Sequence, residues 1–248
     1  MDTAIPAQLA ERLRAARRVA VLTGAGVSAE SELSTFRGPN GLYAQQDVMR
    51  MASLDGFLED PQKVWQWYDW RRGQALHAQP NPGHAALAAW EARLAARGGR
   101  LDLITQNVDG LHQRAGSQNV IELHGSGWVL RCMSCQKERE DRTHPFAELP
   151  PRCACGGMLR PGVVWFGEML PPEAVERAQD AAEGCELFVA AGTSALVYPA
   201  AGFVQLAMRS GAPALEVNLE PTPLSKLVTW SLRGKSGEIL PALLEKLK

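Results

Sequence analysis

Four cysteines lie in two close pairs, at a spacing that could hold a metal ion. Cys132 and Cys135 have two residues between them, and Cys153 and Cys155, which follow after 17 further residues, have one. Four thiolates can bind zinc tetrahedrally, and a site closed by four protein ligands is structural rather than catalytic. A redox pair or ordinary core cysteines are the alternatives. We predict one structural Zn²⁺ per chain, and we expect Cys185 to be a small core residue.

A glycine-containing turn could approach a phosphate group closely. Gly24-Ala25-Gly26 follows the apolar run Val19–Leu22 and leads toward a helix. Glycines at such a turn let the backbone contact a pyrophosphate, whose charge a helix N-terminus stabilises. The third glycine of the usual dinucleotide fingerprint is missing, so a plain tight turn is the alternative. Ser28 and Thr35-Phe36-Arg37 add hydroxyls, an aromatic ring and a cation beside the loop.

Small or hydrogen-bonding residues follow each of five short runs that are mostly apolar. The runs and the residues after them are Val19–Leu22 with Gly24–Gly26, Leu101–Ile104 with Gln106-Asn107-Val108-Asp109, Val120–Leu123 with His124, Leu187–Ala190 with Gly192-Thr193-Ser194, and Pro213–Val217 with Asn218. Ligands bind outside the carboxyl ends of parallel strands in an open sheet. The five strand ends are therefore expected to converge on one crevice.

His124 is the histidine best placed to act as a base, because it ends a predicted strand and precedes a glycine. A histidine is more often structural than catalytic, and we expect His112 to be a hydrogen-bonded core group. His84 is expected at a helix start, and His77 and His144 are expected to face solvent.

The elements that would carry these residues alternate between strand and helix. Alanine-rich helical segments, notably His84–Arg97 and Pro172–Ala182, separate the apolar runs. This alternation is typical of a parallel sheet with helices on both faces. The predicted fold class is α/β: a Rossmann-like, doubly wound parallel sheet with a smaller lobe, which a zinc-binding module and a helical insertion form.

Two segments interrupt the alternation and are predicted to form the smaller lobe. One, rich in tryptophan and methionine, reads as helical from Pro39 to Pro80; the other holds the cysteine pairs. The predicted division assigns 1–38, 82–130 and 161–248 to a Rossmann-like domain, 39–81 to the helical insertion and 131–160 to the zinc-binding module.

The composition argues against several classes of protein. The chain has 248 residues, 46% of them hydrophobic, and a formal net charge of −1. No overall field would attract nucleic acid or an acidic membrane. The stretch from Leu187 to Ala207 has no charged side chain, but Gly192 and Pro199 interrupt it, which favours a buried strand, a turn and a helix over a membrane span. The first seven residues have no apolar core, so we expect no signal peptide and a cytoplasmic protein.

The chain resembles the sirtuin family along nearly its whole length. The matching motifs, from Val19 to Leu244, are Gly24-Ala25-Gly26-Val27-Ser28, Thr35-Phe36-Arg37-Gly38, Gln106-Asn107-Val108-Asp109-Gly110-Leu111-His112, His124-Gly125, the two cysteine pairs, Arg160-Pro161-Gly162-Val163-Val164-Trp165-Phe166-Gly167-Glu168, Gly192-Thr193-Ser194 and Asn218. They occur in the family's order.

The resemblance implies NAD-dependent removal of acyl groups from lysine side chains of proteins. NAD would be the co-substrate, with nicotinamide near Ser28, Asn107 and Asp109. The acyl oxygen would attack the ribose carbon, and His124 would then act as general base on a ribose hydroxyl, giving free lysine, nicotinamide and O-acyl-ADP-ribose. The further cofactor contacts that the resemblance implies are Gly24, Ala25, Gly26, Thr35, Phe36, Arg37, Gln106, Val108, Gly192, Thr193, Ser194, Asn218, Leu219, Glu220 and Ser236.

Acylated-lysine proteins or peptides are the partners that the resemblance implies. The segment Val163–Glu168 is similar to a strand that pairs with the substrate peptide, so Val164, Trp165, Phe166 and Gly167 are expected substrate contacts. No membrane or nucleic-acid partner is expected, and no oligomer is required.

Tyr68 and Arg71 resemble the pair that marks class III, desuccinylase-like sirtuins. Both fall in the predicted helix Val64–Leu76, and their spacing of three puts both side chains on one face. Thr35, where many sirtuins have Asp, fits the same subgroup. The alternative is that Tyr68 packs with the neighbouring tryptophans while Arg71 faces water.

The sequence departs from the family at Glu32-Leu33-Ser34, where sirtuins usually have Gly-Ile-Pro before Thr-Phe-Arg. Loss of Gly and Pro changes the backbone angles open to this loop, whereas Leu33 retains an apolar contact.

Two other functions stay open from the sequence. The same cleft could hydrolyse NAD or transfer ADP-ribose to protein. A zinc module could also bind nucleic acid. The segment from Arg131 to Arg160, however, has six basic and four acidic residues, and this positive excess is small for a surface that binds a phosphate backbone.

Overall fold

The computed structural model describes residues 5–35, 48–194 and 196–247. Its helices are α1 (Ala7–Ala15), α2 (Ala25–Ser28), α3 (Val48–Met51), α4 (Leu54–Glu59), α5 (Pro61–His77), α6 (Pro82–Ala96), α7 (Leu111–Arg114), α8 (Pro172–Gly184), α9 (Ala200–Arg209) and α10 (Ser236–Glu245), with short 3-10 helices at Ala29–Ser31 and Pro223–Lys226. Its strands are β1 (Arg18–Thr23), β2 (Arg100–Thr105), β3 (Val120–Glu122), β4 (Gly125–Cys132), β5 (Glu138–Glu140), β6 (Leu159–Val163), β7 (Leu187–Ala191), β8 (Ala214–Asn218) and β9 (Trp230–Arg233).

Six parallel strands form the main sheet in the order β3-β2-β1-β7-β8-β9. The chain moves outward from β1 to β3, returns to β7 beside β1, and moves outward again. This is the doubly wound order, and its topological switch point lies between β1 and β7. The predicted α/β class is confirmed. The strand β9 was missed, because it has only four residues and two of them, Ser231 and Arg233, are polar.

Side chains of the central strands alternate between two cores. Val19 and Val21 pack with residues of α1, α6 and α10 on one face of the sheet. Ala20 and Leu22 pack with residues of α8 and α9 on the other face. Because both faces are covered, the central strands are mostly apolar, apart from single residues such as Asp102 and Glu216, which is why short apolar runs identified these strands.

A second, antiparallel sheet in the order β5-β4-β6 forms the smaller lobe together with α3, α4 and α5. This sheet runs from Gly125 to Val163 and so extends past both ends of the predicted zinc module. The three-part division of the chain stays a prediction. The helical interpretation holds from Val48 to His77, and residues 39–47 of that segment lie outside the described residues.

Arg72 joins α5 to the zinc module. Its side chain is 3% exposed and lies between the rings of Trp128 and Phe146, at 5.0 and 5.1 Å from their centroids. One guanidinium nitrogen donates to the carbonyl of Gly127, and another donates to the carbonyls of Asp141 and Thr143. A single buried cation thus fixes a helix against β4 and against the irregular segment that follows β5.

A second contact between the same elements corrects the expectation for His144. Its Nδ1 lies 3.1 Å from Oδ1 of Asp69, and the side chain is 21% exposed, so it does not simply face solvent. A Cβ on Gly73 would collide with the imidazole ring of His144, so only glycine allows this approach.

None of the helices within residues 5–35, 48–194 and 196–247 is long and apolar enough to cross a lipid bilayer. The apolar stretch that begins at Leu187 instead forms β7 and α9, as the sequence indicated.

Replacing Arg72 with Met should destabilise the protein by about 3–5 kcal/mol, because it leaves the carboxylate of Asp141 and three carbonyls without their buried donor. Urea unfolding gives the free energy. Arg142→Met is the matched control, since the Arg142 guanidinium lies 5.2 Å from the same Trp128 ring but its side chain is exposed. The control should change stability by less than about 0.5 kcal/mol. Equal effects of the two substitutions would contradict the proposed anchoring.

Candidate active site and zinc centre

Two glycine turns meet at the switch point between β1 and β7. The amide of Gly26 donates to the carbonyl of Gly192 at 2.9 Å. A Cβ on Gly24 would lie 2.8 Å from that oxygen, and a Cβ on Gly26 would lie 2.8 Å from the Gly192 Cα. Gly192 itself has φ +58°, a left-handed conformation that favours glycine. The floor of the crevice is therefore bare backbone.

A buried hydrogen-bond network follows β1 and β2. The side-chain amide of Asn107 donates to the Gly24 carbonyl and to Ser28 Oγ, each at 3.1 Å. Ser28 Oγ donates in turn to Oδ2 of Asp109 at 2.8 Å, and the other oxygen of Asp109 accepts from the amide of Leu111. The three residues predicted to surround nicotinamide thus lie together, although 79 positions separate Ser28 from Asn107.

Side chains from two further strand ends join the same crevice. Gln106 Nε2 donates to Thr193 Oγ1 at 2.9 Å, and Asn218 Nδ2 donates to the Thr193 carbonyl at 2.8 Å. The carboxyl ends of β1, β2, β7 and β8 are therefore linked by hydrogen bonds, as expected for one shared crevice.

The remaining predicted cofactor residues differ in exposure. Ala25, Thr35, Val108 and Ser194 are half-buried, Ser236 is buried at the first position of α10, and Leu219 and Glu220 are exposed. Phe36 and Arg37 lie outside the described residues.

A hydrogen bond fixes the ring of His124, which lies just after β3. Nδ1 lies 3.1 Å from the carbonyl oxygen of Gln106. A carbonyl only accepts, so Nδ1 carries the proton and Nε2 keeps its lone pair. Burial lowers the pKa of His124 below its usual 6.5, and the bond to the Gln106 carbonyl opposes part of that shift. The imidazole is therefore neutral at neutral pH, the form that a general base requires.

Two further histidines are buried behind the network. Their rings lie 4.7 Å apart, and His112 Nε2 is 3.0 Å from Thr23 Oγ1, so His112 is the hydrogen-bonded core group that the sequence indicated. Burial lowers the pKa of His84 to about 4, against an opposing effect of Asp109. Burial, followed by repulsion from His84, also holds the pKa of His112 well below its usual value.

Two residues that contact this network were not predicted to do so from the sequence. Asn81 caps α6 and donates through Nδ2 to the Val27 carbonyl at 2.7 Å. His84 was expected only at a helix start, but its Nε2 lies 3.4 Å from Ser28 Oγ, and its Nδ1 accepts from the Asn81 amide at 3.3 Å. No spacing in the sequence connects them with Ser28, more than 50 positions away.

Tyr68 and Arg71 lie on α5 in the smaller lobe. The Tyr68 hydroxyl accepts from Trp165 Nε1 at 2.9 Å, and the tyrosine is 7% exposed. Burial lowers the pKa of the Arg71 guanidinium, whereas the charge of Asp109 raises it. Arg71 is half-buried and so does not simply face water, and its charge interacts with that of Asp109. Its guanidinium carbon also lies 5.9 Å from the Trp67 ring centroid.

The segment predicted as a peptide-pairing strand is not a regular strand. Strand β6 ends at Val163, and beyond it Phe166 makes only an isolated bridge with Ser53. A bidentate ion pair between Arg160 and Glu168, with N···O distances of 2.5 and 2.9 Å, closes the segment into a loop. Glu168 also accepts from the amide of Trp165, which diverts that amide from strand pairing. Within the loop, Val164 is half-buried and Trp165 is buried, whereas Phe166 and Gly167 are exposed.

At the departure from the family pattern, the backbone keeps a glycine-like conformation without glycine. Glu32 has φ +64°, in the left-handed region, and its amide donates to the Ala29 carbonyl. A non-glycine residue held there costs about 1–2 kcal/mol. Leu33 is 7% exposed, in agreement with its expected apolar contact.

The four paired cysteines form a compact cluster. Their sulfur atoms all lie within 4.8 Å of one another; Cys132 and Cys155 are 3.5 Å apart, and Cys135 and Cys153 are 3.9 Å apart. Tetrahedral zinc with bonds of about 2.3 Å needs sulfurs about 3.8 Å apart, so the cluster fits. The amides of Cys135 and Ser134 donate to Cys132 Sγ and lower the pKa of that thiol to about 6, which favours the thiolate.

The cluster is separate from the crevice and supports the smaller lobe. Cys132 and Cys153 belong to the same hydrophobic core as Tyr68 and Trp165. Four protein ligands leave no open coordination position, so a zinc ion here would have a structural role, and Cys185 is buried elsewhere, as expected.

A doubly wound sheet with two glycine turns at its switch point is the arrangement that binds dinucleotides in this class of fold. A family model described as the Sir2 family matches residues 24–199, and the chain belongs to that family. The NAD-dependent protein deacylase of Aquifex aeolicus (strain VF5) is 46% identical over 231 residues, which cover 93% of this chain and 95% of that protein.

Solved structures agree with this assignment. A complex of a Sir2 homologue with NAD has a TM-score of 0.91 and 44% identity, and the match covers 99% of this chain and 94% of that chain. A Sir2 variant with a deacetylated p53 peptide and 3'-O-acetyl ADP ribose has a TM-score of 0.87 and 33% identity, and the match covers 96% of this chain and 97% of that one.

Metal analysis of the purified protein should find one zinc ion per chain. Cys153→Ser should abolish stoichiometric zinc and unfold the smaller lobe, because metal binding is coupled to local folding. Cys185→Ala is the control, since that cysteine lies in a different core, and it should retain zinc. Zinc-free native protein, or a Cys153→Ser variant with full activity, would contradict a structural zinc site.

Proposed function

We propose that this chain removes acyl groups from lysine side chains of proteins, with NAD as co-substrate, and releases nicotinamide and O-acyl-ADP-ribose. The observation that carries the proposal is His124: a neutral imidazole with its Nδ1 proton on the Gln106 carbonyl and its Nε2 lone pair available, at the end of a strand beside the crevice. The NAD-dependent deacylases in the same family support the reaction.

NAD supplies a ribose carbon that can accept the acyl oxygen once nicotinamide leaves. On the protein side, the glycine turns at Gly24–Gly26 and Gly192 let backbone approach the pyrophosphate. Ser28, Asn107 and Asp109 hold the nicotinamide end. The side chains around them are buried, which keeps water from a reactive, positively charged sugar centre.

His124 then takes a proton from a ribose hydroxyl, whose oxygen attacks the acyl carbon; that carbon releases the lysine amine and takes up one water molecule, which leaves O-acyl-ADP-ribose. Because the Gln106 carbonyl fixes the ring through Nδ1, Nε2 is the nitrogen that accepts the proton. Protonation places a positive charge on a ring that is largely buried, and the bond from Nδ1 to the carbonyl stabilises that charge. A base of this kind typically contributes about 100- to 10,000-fold to the rate.

The smaller lobe supplies the acyl-lysine site. Phe166 and Gly167, exposed on the loop that the Arg160–Glu168 ion pair closes, are proposed to contact the substrate peptide together with Val164. Trp165 is buried and supports the loop, because its indole nitrogen donates a hydrogen bond to the hydroxyl of Tyr68.

We further propose that the acyl pocket accepts succinyl as well as acetyl groups. The Arg71 guanidinium offers a planar fork to a free carboxylate, and its charge is already close to the nicotinamide end of the site, as the interaction with Asp109 indicates. The Tyr68 hydroxyl accepts its bond from Trp165, so its own proton is free to be donated to the same carboxylate. An acetyl group has no carboxylate, so its removal would need neither the Arg71 guanidinium nor the Tyr68 hydroxyl.

The four zinc-binding thiolates favour a reducing compartment, so we place the reaction in the cytoplasm, with acylated-lysine proteins as partners.

Incubation with NAD and an acetylated peptide separates the possible reactions of this cleft. Deacylation gives O-acyl-ADP-ribose, NAD hydrolysis gives free ADP-ribose, and ADP-ribosyl transfer adds mass to a protein.

His124→Ala should reduce deacylation by about 100- to 10,000-fold while the protein stays folded. In the native enzyme, kcat/KM should be constant around neutral pH and fall as the pH drops through the His124 pKa, below 6.5, because protonation removes the base. His77→Ala is the control, since His77 is exposed on α5. A folded His124→Ala variant with near-normal turnover would remove His124 from the mechanism.

Arg71→Met should lower desuccinylation by about ten- to a hundredfold for each charged hydrogen bond that is lost, while deacetylation is largely retained. The measurement is kcat/KM on succinyl and acetyl forms of one peptide. Arg177→Met, an exposed position on α8, is the control for loss of a positive charge. Equal losses on both acyl groups would show that Arg71 is structural.

A further inference from the structure

Glu216 is a buried carboxylate that no step of the proposed reaction uses. It lies on β8, between Ala190 of β7 and Ser231 of β9, and is 1% exposed. A buried carboxylate is strongly unfavourable unless hydrogen bonds replace its hydration. The hydrogen-bond donors around Glu216 therefore show which segments its carboxylate holds in place.

Four donors surround this carboxylate. Thr222 Oγ1 donates to Oε1, and Ser225 Oγ donates to Oε2 at 2.7 Å, both from the region of the 3-10 helix Pro223–Lys226. From β9, Ser231 Oγ donates at 2.7 Å and Arg233 Nη2 at 2.9 Å. Burial alone would raise the pKa of Glu216, but these donors outweigh it and hold the pKa below its usual value.

The donors belong to the connection between β8 and β9, residues 219–229, and to β9 itself. That connection starts at the carboxyl end of β8, where Asn218, Leu219 and Glu220 are the proposed contacts of the nucleotide. The second terminal nitrogen of Arg233, Nη1, donates to the Glu220 carbonyl at 3.1 Å. The amide of Gly234 donates to the Asn218 carbonyl at 3.1 Å. The carboxylate of Glu216 is thus linked, through Arg233, to the backbone of the segment at the crevice.

We propose that Glu216 is a positioning residue for NAD: its carboxylate fixes the 219–229 connection and so the backbone of Asn218–Glu220 that receives the nucleotide. The inference rests on the proposed function, in which this strand end contacts NAD. Glu216 itself touches neither co-substrate nor acyl-lysine.

A carboxylate suits this position because it only accepts, through two oxygens with about four lone-pair sites. Glutamine has nearly the same shape but replaces one oxygen with an amide donor. Ser225, Ser231 and Arg233 all donate to Oε2, whereas Thr222 donates to Oε1, so the amide nitrogen of glutamine would take the Oε1 position, beside a hydroxyl that can rotate. Glutamine carries no charge, so Glu216→Gln weakens the charge-assisted bond to Arg233, and with it the link to the Glu220 carbonyl.

The test compares the native protein, Glu216→Gln and the control Glu176→Gln, which makes the same change at an exposed position on α8. The measured quantities are KM for NAD, KM for the acetylated peptide, kcat, and the Kd of ADP-ribose by calorimetry. Glu216→Gln should raise KM for NAD and the Kd of ADP-ribose by about tenfold or more, as for a lost hydrogen bond to a charged group. The kcat at saturating NAD, and KM for peptide, should stay within about twofold.

Unchanged NAD and ADP-ribose affinities in a folded Glu216→Gln variant would overturn the inference, as would a fall in kcat with equal rises in both KM values. If Glu216→Gln does not fold, Ser225→Ala provides the test, because it removes one donor to Glu216 and one acceptor of Arg233 but keeps the bond between Arg233 and Glu216. It should weaken ADP-ribose binding by about threefold, and no change would overturn the inference. Absence of deacylation in the native protein would refute the proposed function alone, since the ADP-ribose measurement needs no turnover.

Discussion

The close approach of two glycine turns is the constraint on which the rest of the site depends. Strands β1 and β7 are neighbours in register, with Leu22 beside Ala190, but the chain winds away from them in opposite directions. A crevice opens there, and Gly26 bonds directly to Gly192 across its floor. A side chain at either glycine would overlap the opposite backbone, so the turns would separate and the crevice would change shape.

The polar groups behind this floor are arranged so that little charge is buried. His84 and His112 are neutral because burial lowers the pKa of both. The hydrogens of His84, Asn107 and Ser28 satisfy acceptors that end at one carboxylate, Asp109, whereas His112 contacts the Thr23 hydroxyl. Neutral donors cost far less to desolvate than charged ones, so the pocket can be dry without becoming unstable. His124 differs in having one ring nitrogen committed to a carbonyl and the other available.

A few buried polar contacts hold the elements of the smaller lobe together. Arg72 fixes α5 to the zinc module, and the bond from Trp165 to Tyr68 fixes the same helix to the loop after β6. The ion pair of Arg160 with Glu168 shapes that loop. Cys132 and Cys153 share one hydrophobic core with Tyr68 and Trp165, so a zinc ion at the cysteines would stabilise the helix and the loop that carry Arg71 and Phe166.

The sequence by itself determined the local features: five doubly buried strands, the helices between them, the cysteine spacing and the polar residue at each strand end, because periodicity and composition record them directly. Tertiary structure decided the rest. The short polar strand β9 forms only because β8 offers it a partner, and Val164–Glu168 is a loop because Arg160 and Glu168 pair. Asn81, His84 and Glu216 have no local signal. Their positions depend on contacts across long sequence separations, which only the packed sheet brings together.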